Sequence, residues 1–162
     1  MPRLDPALWF DTQALEAAEF YCSVFPNSRI LSVARYPEGA PGPAGEVMTV
    51  EYELDGQRLV HINGGPAFTF SEAVSLRIDC ADQAEVDRYW TRLLEGGGEE
   101  SQCGWLKDRY GFSWQVVPAG MDELFSDPDP ARVQRAVQAM LTMRKLDVEA
   151  LRRAADGVPA NA

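Results

Sequence analysis

Apolar residues change their spacing several times along this chain, and each change predicts an element. Residues 5–11 alternate like a short strand, after which Ala14, Ala17, Ala18, Tyr21 and Phe25 recur at helical spacing within residues 12–25. Pro26-Asn27 stops that helix. Residues 28–36 return to alternation, with Ile30, Leu31 and Val33 apolar. Residues 37–46, PEGAPGPAGE, are Pro/Gly-rich and predict the most mobile loop. Residues 47–64 read as two strands around Asp55-Gly56, a dipeptide that tolerates the positive φ of a tight hairpin turn.

The pattern then starts again. Residues 73–80 predict a strand and residues 81–98 a helix closed by glycines. A short extended piece around Ser101 to Cys103 follows, then a turn through residues 106–111 and a strand over 112–117. One offset places Phe20-Tyr21 on Tyr89-Trp90 and Val24-Phe25 on Leu93-Leu94, which infers an internal repeat. A strand-helix-hairpin unit has a bare sheet face, and pairing two units would cover it. Further on, Asp129-Pro130 is an N-cap with proline at the first helical position, followed by an apolar stripe of Val133, Val137, Met140 and Leu141. Leu146-Asp147 marks a second helix start, with Leu146 and Leu151 spaced for a hydrophobic staple and Gly157 as the stop. This segment is expected to pack on the domain or on a partner subunit, and residues 158–162 to fray.

Composition narrows the function classes. The 162 residues are 46% hydrophobic and 25% charged, an ordinary globular balance. With 25 acidic and 15 basic side chains the net charge is −10, a field that repels phosphate backbones, so no nucleic-acid partner is expected. No stretch reaches signal-peptide or membrane-spanning character, so no membrane partner is expected either. Cys22, Cys80 and Cys103 are odd in number and form no CxxC pair, which suits a reducing cytoplasm.

Several residues invite chemistry, each with a plainer alternative. His61 is the sole histidine, so any imidazole acid-base step must use it; the alternative is a partly buried ring hydrogen-bonded to a neighbouring strand. Residues 63–66, NGGP, lack the Lys and Ser/Thr of a phosphate loop and read as a turn, although their amides could cradle a small anion. The glycines of EGGGEE, residues 95–100, follow a helix rather than a first strand, so they read as a stop and not as an S-adenosylmethionine loop. Cys103 is either a small buried hydrophobe or a thiol paired with His61. The charges of Lys107, Asp108 and Arg109 most simply face water.

Three blocks, LWFDTQALEAAEFYCSVFPNSRI, HINGGPAFTFSEAVSL and GWLKDRYGFSWQVVP, resemble in that order the PhnB-like family. That family often carries the label 3-demethylubiquinone 3-methyltransferase and belongs to the glyoxalase/bleomycin-resistance (vicinal oxygen chelate) superfamily. The resemblance implies an α+β fold in which paired βαβββ modules form a curved mixed sheet around a cavity, with C-terminal helices added. The modules are expected at residues 1–66 and 67–118 and the helices at 119–157.

Metal-dependent superfamily members use four ligands from strands lining the cavity. By position these fall on Pro6, His61, Ser75 and Gln115, a degenerate set from which no divalent metal or other cofactor is expected. The resemblance makes Leu8, Phe10, His61, Asn63, Ser113 and Gln115 the candidate cavity lining, and Arg109 lies near its mouth. The resulting expectation is a metal-free, cytoplasmic, homodimeric protein that binds a small organic molecule in an apolar cavity. The alternatives are a superfamily enzyme (lyase, isomerase or dioxygenase), the methyltransferase of the family label, or a structural module whose cavity is filled by its own side chains.

Overall fold

A computed structural model describes residues 2–158 and divides the chain into two compact units, one ending at Phe70 and one starting at Ser71. The expected tail beyond Val158 lies outside the described residues.

The first unit runs β1 (Ala7–Phe10), α1 (Ala14–Val24), β2 (Arg29–Arg35), β3 (Val47–Leu54) and β4 (Gln57–Asn63). Its sheet has the order β1-β4-β3-β2, with β1 parallel to β4 and the other pairs antiparallel. Ala14, Ala17 and Ala18 have no exposed surface, and these small side chains let α1 lie close against β3 and β4. Tyr21 and Val24 complete the buried stripe. Phe25, expected to extend it, is already extended at φ −99° and ψ 136°, because a residue before proline is pushed out of the helical region. Asp55 and Gly56 both take positive φ, 43° and 89°, as the hairpin turn demands.

The second unit repeats the topology with β5 (Ser75–Cys80), α2 (Gln83–Leu94), β6 (Glu99–Glu100), β7 (Trp105–Lys107) and β8 (Ser113–Pro118), in sheet order β5-β8-β7-β6 with β5 parallel to β8. Asp82 caps α2 by accepting from the Glu85 N–H, and Gly96 and Gly97 end the helix with positive φ. The stretch between α2 and β8 differs from expectation. Strand pairing falls on Glu99–Glu100 and Trp105–Lys107, and Ser101 to Gly104 make the turn between them. Cys103 and Gly104 both have positive φ there, 56° and 82°. Nothing in a three-residue strand announces itself by alternation; the carbonyls of Met143 and Arg144, which accept from the Cys103 and Gly104 amides, hold the turn from outside.

Three helices follow within the span expected to be helical: α3 (Met121–Phe125), for which no separate start was read, α4 (Pro130–Met140) and α5 (Val148–Ala155). They enclose a core of Met121, Leu124, Ala136, Leu146, Leu151 and Ala155, so the expected staple pair Leu146 and Leu151 share one cluster. In α4 it is Ala136 that is fully buried, while Leu141 is 60% exposed at the helix end. The buried stripe is therefore rotated from the expected one, because α3 and α5 meet the side of α4 that carries the small residue.

Candidate functional site

His61 and its neighbours do not line an open sheet face. The register joins Leu8, His61 and Val50 in one row across β1, β4 and β3. That row lies under α1. Leu8, Phe10 and His61 are 5%, 4% and 0% exposed, and the imidazole Nδ1 meets the Ala14 carbonyl of α1 at 2.9 Å. Since a carbonyl only accepts, Nδ1 carries the proton, and Nε2 accepts from the Tyr52 hydroxyl at 2.6 Å. Burial pulls the imidazole pKa down to about 4, against a smaller opposing pull from the Ala14 carbonyl, so the ring is neutral at pH 7. Both nitrogens are engaged within the protein at neutral pH. His61 is a core residue and offers no base to Cys103.

Asn63 is equally committed to structure. Its Oδ1 accepts from the first amide of α1, at Ala14, and its Nδ2 donates to the carbonyls of Thr12 and Val47. Gln13, at the cap position, makes no side-chain cap bond, and Asn63 serves from the sheet instead. The NGGP amides give no anion cradle, because Gly64 N–H donates to Phe10 O and Gly65 N–H to Asp11 O. Gly64 is required by the Trp9 ring, which would lie 2.0 Å from an added Cβ.

In the second unit the expected residues lie on a different kind of face. Ser75, Ser113 and Lys107 form one row, and Arg77, Gln115 and Trp105 the next, out of register with the row Leu76–Trp114–Leu106, in which Leu76 is half-buried and the other two are buried. Gln115 Nε2 donates to Ser75 Oγ at 2.8 Å, joining two positions of the degenerate ligand set to each other. Ser113 Oγ is the single buried side-chain N or O among the described residues without a hydrogen-bond partner. Asp108, expected to face water, is 3% exposed; it accepts from the amides of Tyr110 and Phe112 and from Trp114 Nε1. Arg109 Nε donates to Glu95 O at the end of α2, and Lys107 pairs with Glu72. Cys103 Sγ lies 3.6 Å from Met140 O. Burial, with the Glu85 and Asp79 charges, pushes the Cys80 thiol up to about 12, which removes it as a nucleophile.

As for metal chemistry, Pro6 has no donor side chain, the His61 nitrogens are both occupied under α1, and Ser75 and Gln115 offer a neutral hydroxyl and amide. Such a set does not fit a divalent transition metal. Among the described residues no three His, Cys, Asp or Glu side chains gather to hold an ion.

The first unit does contain a pocket of about 500 Å³ at the ends of β1 and β4. Its walls are Asp11 and Thr12, the turn Asn63 to Gly65, Val47, and the 37–46 loop through Pro41, Gly42, Pro43 and Glu46 with Tyr36. The Tyr36 hydroxyl donates to Asn63 O at 2.5 Å, and its ring lies where a Cβ on Gly42 would sit, 2.4 Å away. Of the expected cavity residues only Asn63 lines this pocket. The remaining lining residues were missed because the loop's composition signals mobility and gives no sign that Tyr36 folds it back onto the sheet.

Two units of like connectivity, each a four-stranded mixed sheet with one covering helix, define the glyoxalase/bleomycin-resistance fold. A fosfomycin resistance protein of Listeria monocytogenes, solved with Mn(II) and sulfate, shares that fold at TM-score 0.53 and 12% identity, over 76% of this chain and 94% of its own. Within the fold, the chain belongs to the family described as 3-demethylubiquinone-9 3-methyltransferase, which matches residues 2–117. The PhnB protein of Bacillus cereus is 34% identical, with TM-score 0.66 over 73% of this chain and all of its own. A Pseudomonas aeruginosa protein is 20% identical, with TM-score 0.60 over 73% of this chain and 98% of its own. No curated protein matches the sequence. Among the described residues no helix is long and apolar enough to cross a membrane.

Proposed function

We propose that this PhnB-like protein binds a small organic molecule without a resident metal, and that the first-unit pocket is where it does so. The observation that carries the reading is the pocket itself. About 500 Å³ suits a small ligand, and its walls join a folded-back loop to rigid strand ends. Metal-dependent lyase or dioxygenase chemistry is disfavoured by the donor set at Pro6, His61, Ser75 and Gln115. Methyl transfer through S-adenosylmethionine is disfavoured by topology. Each sheet is mixed, and Gly96 and Gly97 stop α2 rather than linking a first strand to its helix.

The test is amide NMR of the purified protein against a fragment library, with metal analysis of the same sample. Fragments should shift Asp11, Thr12, Val47, Gly64 and Gly65 together, and transition metal should be well below one per chain. Shifts confined to other residues, or a tightly held stoichiometric metal, would overturn the proposal. Homodimerisation belongs to the same proposal, and light scattering of a monomer would remove it.

A further inference from the structure

The pocket's hydrogen-bonding groups are one-sided. Most of its donors are already used, the Thr12 hydroxyl being an exception: Tyr36 O–H goes to Asn63 O, both Nδ2 protons of Asn63 to Thr12 O and Val47 O, and the amides of Gly64 and Gly65 to Phe10 O and Asp11 O. The amides of Tyr36 and Glu46 donate to Glu46 O and Pro43 O, and that of Thr12 to Gln13 Oε1. Pro41 and Pro43 have no N–H to give. Two acidic side chains are free by contrast. Asp11 and Glu46 both belong to the lining, and neither has an ion pair or side-chain hydrogen bond among the described residues. No Lys, Arg or His lines the pocket, and Arg35, close by in the chain, gives its Nη1 to Gly45 O.

A ligand entering such a site must supply the donors and gains from supplying positive charge. An anion would meet two unpaired acidic residues and no Lys, Arg or His to offset them. The protein's net charge of −10 acts in the same sense at longer range. We infer that the pocket selects small organic cations, of the primary or secondary ammonium class, whose N–H groups reach Asp11 and Glu46 while the apolar part lies against Val47, Pro41 and Pro43. The inference rests on the pocket reading above and adds the ligand class to it.

One ring scaffold in three charge states tests it: benzylamine, benzyl alcohol and benzoate at neutral pH, each titrated into the full-length protein with amide NMR as the readout. Benzylamine is expected to shift the pocket amides and to bind roughly tenfold tighter than benzyl alcohol, with benzoate weakest. The preference should shrink as salt approaches about 1 M, where the screening length falls to about 3 Å. The double variant Asp11→Asn, Glu46→Gln should lose the preference while keeping its affinity for benzyl alcohol. Both positions are exposed, so folding is expected to survive, as a thermal melt will verify. Equal binding of all three compounds, or tightest binding of benzoate, overturns the cation class and leaves the pocket standing. Failure of every compound to shift the pocket amides overturns both.

Discussion

Strands β4 and β8 each bury one heteroaromatic ring in a comparable place, and the difference between those rings separates the chemistry of the two units. In the first unit the middle strand puts His61 into the row Leu8–His61–Val50; in the second it puts Trp114 into the row Leu76–Trp114–Leu106. Both rings are almost fully buried and both have a partner for their N–H: the Ala14 carbonyl for His61, the Asp108 carboxylate for Trp114. The counterpart of His61 is thus Trp114, and not Gln115, which lies on the opposite face of its sheet. Only one of the two rings titrates. A heteroaromatic ring under a helix is a packing solution in both units, and in the first it brings acid sensitivity with it.

The largest effect should come from emptying either row. Trp114→Ala and His61→Ala remove rings that are 1% and 0% exposed, and each leaves a buried polar partner behind. Losses of about 3–5 kcal/mol for Trp114→Ala and about 2–4 kcal/mol for His61→Ala are expected in urea unfolding. If His61→Ala costs nothing, the ring is not the core element described here.

Acid should act on the first unit next. The folded His61 pKa is lowered to about 4 from 6.5, so the unfolded chain takes up a proton at a pH where the folded one refuses it. The stability tied to this group is complete above about pH 6.5, falls as pH drops from there towards 4, and changes no further below. The shift corresponds to about 3 kcal/mol at most. His61→Phe should remove that part of the pH dependence, leaving whatever the carboxylates contribute. Because His61 is the only histidine, its imidazole NMR signal reports the titration without ambiguity. A midpoint near 6.5 would mean a solvent-facing ring.

Gln115 and Ser113 should matter least for stability. Gln115→Ala loses a half-buried bond to Ser75 and is expected to cost no more than about 1 kcal/mol. Ser113→Ala removes a hydroxyl that has no partner, so it should be neutral or stabilising by up to about 1 kcal/mol. A larger loss in either would show that this face carries more than its described contacts.

Much of the fold was legible because it is written locally. Alternation, the Asp55-Gly56 turn, the alanine stripe of α1 and the Asp129-Pro130 start each rest on a few neighbouring residues, and each is present. The turn at Ser101 to Gly104 and the inward Asp108 were not legible. Each depends on partners far along the chain or on a carboxylate whose three donors appear only once the strand folds back. The pocket was hidden for the same reason: Tyr36 and Asn63 are 27 residues apart.

From the amino-acid order alone follow most element types, the doubled unit, and the placing of His61 and Asn63, two residues apart, on one side of a strand. Which side that is was decided only in three dimensions. A period of two tells that alternate residues agree, and carries no sign saying which set faces the helix. The sign came from where α1 lies against the sheet, and it turned a would-be metal ligand into a core imidazole.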